Sequence, residues 1–167
     1  VSVEPYGSGH INDTFRLEVK EDGQEKLYIL QRMNKDIFKN QKELMENILQ
    51  VTSFLTDKIK AQGGDPNRET LQVIPTKEGK SYLIEANGDG WRVYPFITDS
   101  LSFDKADTPE AMKKSGYAFG NFQYLLSDFP AEKLHETIPD FHNTVDRYAK
   151  FEQAVQEDVM GRAKKVE

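Results

Sequence analysis

Cysteine is absent from the 167 residues, which excludes disulfide staples, thiolate nucleophiles and cysteine-based metal sites together. A chain without thiols fits a reducing compartment, and a cytoplasmic location is the expectation. No stretch approaches the roughly 20 apolar residues of a membrane span, and no secretory signal pattern stands at the front, so no membrane partner is expected. Val1 rather than methionine opens the chain, in residues that already read as strand, which points to a trimmed start. Histidine occurs three times and tryptophan once. His135 and His142 have no second ligand at metal-like spacing, so no metal site is expected. Positive charge is in deficit: a formal net charge of −6 argues against a general nucleic-acid binder, which needs a basic surface. No Cys/Ser-x-Pro-x-Arg segment occurs either, so formylglycine sulfatase chemistry has no nucleophile here.

What remains is 37% hydrophobic and 30% charged, the make-up of an ordinary globular chain. It has two textures. Residues 1–98 are rich in strand signals. Phe15, Leu17 and Val19 alternate with Thr14, Arg16 and Glu18, and Lys26 to Met33 alternates likewise, with a turn at Glu21-Asp22-Gly23-Gln24 between them. With Val1 to Tyr6 ahead of it, this predicts three consecutive strands. From residue 36 to about 60 the period changes: Ile37, Gln41, Leu44, Ile48, Val51, Leu55 and Ile59 recur at three- and four-residue steps. That predicts a long amphipathic helix, capped by Asn34 or Asp36 and ended by Gly63-Gly64-Asp65-Pro66. Residues 71–75 and 81–86 flank a turn at Lys77-Glu78-Gly79-Lys80 and predict a further hairpin, and Trp91 to Ile97 predicts a strand that stops near Pro95. Residues 99–167 read as helical, with Thr108-Pro109-Glu110 as a helix start, running to about Ser127, and a second amphipathic segment from Thr144 to about Met160.

The expected fold is therefore α+β: an antiparallel sheet of about five strands backed by one long helix, followed by a helical layer. The segment with most chemical content is Gly7-Ser8-Gly9-His10-Ile11-Asn12-Asp13. Two glycines around a serine permit a tight turn whose amides can approach an anion closely. Read alone, the segment favours a plain hairpin connection over a phosphate loop and makes His10 a solvent-facing loop residue, and Asn12 and Asp13 can be turn formers.

The order of strands, glycine turn, long helix and proline-bearing connector is that of a kinase small lobe. Together, Gly7-Ser8-Gly9-His10-Ile11-Asn12-Asp13-Thr14-Phe15, Tyr28-Ile29-Leu30-Gln31-Arg32-Met33-Asn34 and Leu44-Met45-Glu46-Asn47-Ile48 resemble the N-acetylhexosamine 1-kinase-like branch of the aminoglycoside phosphotransferase family. The resemblance covers essentially the whole chain, Gly116 to Phe122 included. It implies a protein-kinase-like small lobe over 1–98 and the opening helices of an incomplete large lobe over 99–167. It implies ATP with magnesium as cofactor and a sugar as substrate. Gly7, Ser8 and Gly9 would cover the nucleotide phosphates. Arg32 stands where the superfamily usually carries a phosphate-pairing lysine, with Gln31 as the alternative. Glu46, or Glu43 one turn earlier, stands where an orienting carboxylate is expected, and Arg32 and Glu46 would then share one cleft. Tyr94, Phe96 and Ile97 resemble the connector to the adenine edge, and His10, with Asn12 and Asp13, would meet the sugar.

Phosphoryl transfer also needs a carboxylate near the acceptor hydroxyl and groups that hold magnesium. The family carries these in a His-x-Asp-type loop. The nearest segments here, Leu134-His135-Glu136-Thr137 and Phe141-His142-Asn143-Thr144, lack that aspartate. No catalytic residue is expected in this chain, and by itself it is expected to be inactive. The alternative is a non-catalytic domain that binds a ligand or partner on the same scaffold.

Overall fold

Residues 1–21, 23–101, 103 and 105–165 are described by a computed structural model. By backbone contacts the chain divides into two compact units, Val1–Thr137 and Ile138–Glu167. In the first, β1 (Ser2–Pro5), β2 (Asp13–Glu21) and β3 (Gln24–Met33) run antiparallel in sequence order. The register pairs Phe15 with Leu30 and Leu17 with Tyr28, so the alternating apolar residues of the two strands share one face. A long helix, α1 (Gln41–Ala61), and one short turn of helix, α2 (Pro66–Glu69), precede β4 (Leu83–Ile84) and β5 (Gly90–Pro95). The finished sheet has five strands in the order β1-β2-β3-β5-β4, all antiparallel.

Two local expectations are corrected. The helix starts at Gln41 rather than near residue 36, because Asn34 serves a different turn. Its Oδ1 accepts from the backbone N–H of Asp36 and Ile37 at 2.9 and 3.2 Å, and its carbonyl accepts from Phe38 at 2.8 Å. Asn40 is the true cap, accepting from the Glu43 amide at 3.2 Å. The hairpin expected at 71–75 and 81–86 makes its turn, where Thr76 N–H donates to Lys80 O at 2.7 Å, but its arms form little strand. Both seek the same free edge of β5 and share it end to end: Ile74 bridges Val93, while Leu83 and Ile84 take Trp91 and Gly90.

Where α1 begins, it lies directly on the sheet. A Cβ placed on Gly90 would fall 1.7 Å from Gln41 Oε1 and 2.7 Å from the Met33 Cε, an approach only glycine allows without rearrangement. Met33, Met45, Leu55 and Ile59 are nearly inaccessible, and full burial of such a side chain contributes about 1.5–3 kcal/mol. Leu55 and Ile59 cluster with Leu125 at the end of α3 (Pro109–Leu125), with Val51 and Leu126 alongside. Phe54 and Phe129 meet edge to face at 5.1 Å, and Lys58 pairs with Asp128, holding that carboxyl below its ordinary range. These contacts place α3 in the same compact unit as the sheet. The helix opens as predicted, with Thr108 Oγ1 accepting from Ala111 N–H and Pro109 in its first turn. Only Leu125 of α3 is buried; Met112, Tyr117, Phe119, Phe122 and Tyr124 are exposed.

The second unit holds α4 (Thr144–Glu157), capped by Asn143 through the Asp146 amide at 3.1 Å and ended by Asp158 in the left-handed conformation, φ 37°. It stops short of the expected Met160 there. No helix among the described residues is long and apolar enough to cross a membrane.

Candidate functional site

The strand pairing that begins at Asp13 leaves the preceding residues as a loop, closed at its base by Tyr6 N–H donating to Thr14 O at 2.9 Å. Gly7 sits at φ 83°, a region that costs any residue with a Cβ about 1–2 kcal/mol, so glycine is required at this point in the turn. Nothing lies within 4 Å of where a Cβ on Gly7 or Gly9 would stand, and Ser8 between them is exposed. The turn is open on its outer side. Asn12 ties the loop to the end of β3: its Oδ1 accepts from Asn34 N–H at 2.9 Å, and Asn34 Nδ2 donates back to Ile11 O at 3.0 Å. Asn12 is thereby committed to the loop's own architecture.

Beside this loop lies a polar cleft of about 380 Å³, lined in part by His10, Asp13, Arg32, Lys35, Asp36 and Asp89. Register explains the gathering. Asp13 faces Arg32 across β2 and β3, and Met33 faces Gly90, which brings the preceding Asp89 alongside. Arg32 donates from Nε to Asp13 at 2.7 Å and from Nη1 to Asp89 at 3.2 Å. Lys35 reaches the other Asp89 oxygen at 2.8 Å. Asp89 is only 8% exposed and is further held by Asn87 Nδ2 at 3.0 Å. The hydrogen bond from Lys35, aided by Arg32, keeps its carboxyl below the ordinary range despite burial. Asp13, first by hydrogen bond and then by charge, raises Arg32 above its ordinary value.

Strand alternation sends the neighbouring residues to the opposite face, the one α1 covers. There Gln31 Nε2 donates to Thr14 Oγ1 at 3.0 Å, and Arg92 donates from Nε and Nη2 to Gln31 Oε1 at 3.0 and 2.6 Å. Arg92 Nη1 lies 3.8 Å from Met45 Sδ of α1. Gln31 is therefore turned toward the helix and Arg32 away from it.

No family model matches the chain.

The site's chemistry rests on its geometry. His10 and Asp13 line the cleft together with Arg32; Gly7, Ser8, Gly9 and Glu46 are not among its lining residues. Glu46 pairs with Lys42 at 3.6 Å and with His135 Nε2 at 2.9 Å, while Asn47 beside it exchanges two hydrogen bonds with the His135 backbone at 2.8 and 2.9 Å. Tyr94 is buried, and its burial pushes the phenol up to about 12. Phe96 keeps pairing past the proline, donating to Leu27 O at 3.0 Å, and its ring meets Tyr6 edge to face at 5.4 Å. Ile97 is partly exposed, and its carbonyl accepts from Ser100 Oγ at 2.8 Å.

Sequence reasoning missed Asp89, Lys35 and Arg92. Asp89 reads as part of a turn, and Arg92 as one residue of a strand. Only the β3–β5 register, with Gln31 opposite Arg92, gives them partners.

Proposed function

We propose that this chain is the nucleotide-binding, amino-terminal part of an ATP-dependent phosphotransferase whose acceptor is an N-acetylhexosamine or a related sugar. One observation carries the reading: an open glycine turn adjoins a polar cleft with a histidine at its edge. The five-stranded antiparallel sheet with a long helix on one face supports a kinase-like small lobe. Amides of Gly7, Ser8 and Gly9 would face phosphate oxygens, an arrangement that stabilises charge without reorganisation. The His10 imidazole can donate to or accept from a sugar hydroxyl and so orient it toward the terminal phosphate. Asp13 and Asp89 are both engaged with Arg32, which suits them to shaping the cleft rather than to taking a proton. Among the described residues, no group of three or more His, Asp or Glu is arranged to hold a metal ion. Magnesium that accompanies ATP would be held through the phosphates and through residues beyond these.

Calorimetric titration with ATP, with and without magnesium, tests the nucleotide half of the reading, and saturable binding is expected. In a protein with the complete catalytic machinery, His10→Ala should lower kcat/KM for the sugar by roughly several-fold to a hundred-fold, the loss of one or two hydrogen-bond equivalents. ATP affinity should hold. Unchanged sugar kinetics would make His10 an exposed turn residue and nothing more.

A second reading, a non-catalytic partner-binding domain on this scaffold, is favoured by the exposed aromatic residues Tyr117, Phe119, Phe122 and Tyr124 of α3. Absence of any ATP binding would favour it.

A further inference from the structure

Two arginines on opposite faces of the sheet, Arg32 of β3 and Arg92 of β5, are treated in opposite ways. Arg32, well exposed, is saturated by two carboxylates. Arg92 is only 9% exposed, and no carboxylate lies within ion-pair distance of it among the described residues. Its acceptors are one neutral amide oxygen, on Gln31, and a distant thioether, on Met45. The Tyr94 ring stands 5.3 Å from the guanidinium carbon. Burial lowers the Arg92 pKa, yet a guanidinium stays charged in proteins. A buried cation without a counter-charge is costly, and an anionic ligand would supply what this one lacks.

The row that holds Arg92 leads to the turn. Thr14, Gln31 and Arg92 stand side by side across β2, β3 and β5, and the Thr14 carbonyl is the one that closes the glycine loop. The Gln31 amide has only one useful orientation, with nitrogen to Thr14 and oxygen to Arg92. Met45, an unbranched and adaptable side chain, covers Nη1, and a change of its rotamer would uncover two donor hydrogens.

We infer that Arg92, positioned by Gln31, is the cation that pairs with a phosphate group of the nucleotide, with Met45 displaced when the phosphate enters. The inference rests on the nucleotide reading above and moves the phosphate-binding charge from β3 to β5. It makes Gln31 a positioning residue and leaves Arg32 to the cleft on the other face.

Gln31→Glu is the decisive variant, because it would supply the missing counter-charge from within the fold. The probes are tripolyphosphate, ATP and adenosine, titrated against the whole chain and read by calorimetry and by the fluorescence of Trp91, the residue next to Arg92. Wild type should bind ATP and tripolyphosphate more tightly than adenosine. Gln31→Glu should weaken both anions at least 10-fold, leave adenosine unchanged and raise the melting temperature, which also shows that the variant folds. Arg92→Gln should lose the same anion preference, and Lys20→Gln, removing an exposed cation at the far end of β2, should not. If Gln31→Glu binds both anions as wild type does, or if wild type binds neither, the inference is overturned. If ATP binds wild type and Gln31→Glu alike, the nucleotide reading stands and only the inference falls. If tripolyphosphate binds through Arg92 while adenosine never binds and ATP gains nothing over tripolyphosphate, the anion site stands and the nucleotide reading falls.

Discussion

Gly9→Ala separates the architecture of the glycine turn from its chemistry. Gly9 has a negative φ, and a Cβ there meets nothing within 4 Å. The added methyl should therefore leave the free protein's stability within about 0.5 kcal/mol, or raise it by about 0.4–1 kcal/mol through the less flexible unfolded chain. Gly7→Ala is the matched control. It also has open space around it, but φ of 83° makes it pay about 1–2 kcal/mol for the left-handed backbone. If the turn's amides cover phosphates, the Gly9 methyl intrudes only when ligand is present. ATP affinity should then fall about 10-fold or more, equivalent to about 1.4 kcal/mol, in a protein with a wild-type melting curve. Urea unfolding and ATP calorimetry on the three proteins supply both numbers. Equal ATP affinity for wild type and Gly9→Ala would refute the phosphate role of the turn. Equal destabilisation by the two alanines would refute the backbone argument instead.

Ile59→Ala should cost about 2–5 kcal/mol in urea unfolding, since it empties a site shared by α1 and α3, whereas Phe119→Ala on the exposed part of α3 should stay within about 0.5 kcal/mol. Asp89→Asn should be less stable than wild type at neutral pH. Because the folded carboxyl titrates below its ordinary value, that difference should persist down to about pH 4 and vanish as the pH falls further, a trend melting curves at a series of pH values will follow. Asn47→Ala should cost about 1 kcal/mol and speed hydrogen exchange at the His135 amide, which Asn47 Oδ1 accepts from; unaltered exchange would argue against that clasp in solution.

The β2–β3 hairpin, the long helix and the capping of α3 by Thr108 were legible because each is written in consecutive residues. Alternation put Gln31 and Arg32 on opposite faces of β3, and the register with β2 decides that Arg32 is the one on the Phe15 face. The failures have a different source. Residues 71–75 and 81–86 carry strand-like sequence, but how much strand they form depends on an edge of β5 that both must share. Asn34 looks like a cap from its spacing, and the contest between it and Asn40 is settled by which carbonyls and amides the chain brings near. Within the site, His10, Asp13 and the glycines are legible as a motif, whereas Asp89 and Arg92 join only through a strand pairing that spans some sixty residues of sequence, between Gln31 and Arg92. Glu46, placed by the family resemblance, pairs instead with His135 through a contact no local pattern encodes.

Because Gln31 and Arg32 serve opposite faces of one strand, β3 should tolerate substitution far better than a change in length. Deleting a single residue between Lys26 and Gln31, with the β2 pairing kept, would carry Arg32 under α1 beside Arg92, turn Gln31 out opposite Phe15 and set Met33 opposite Asp13. Two guanidiniums would then crowd one dry interior, and Asp13 and Asp89 would lose their arginine to a thioether. The strand's length is thus as much a part of the site as any side chain in it.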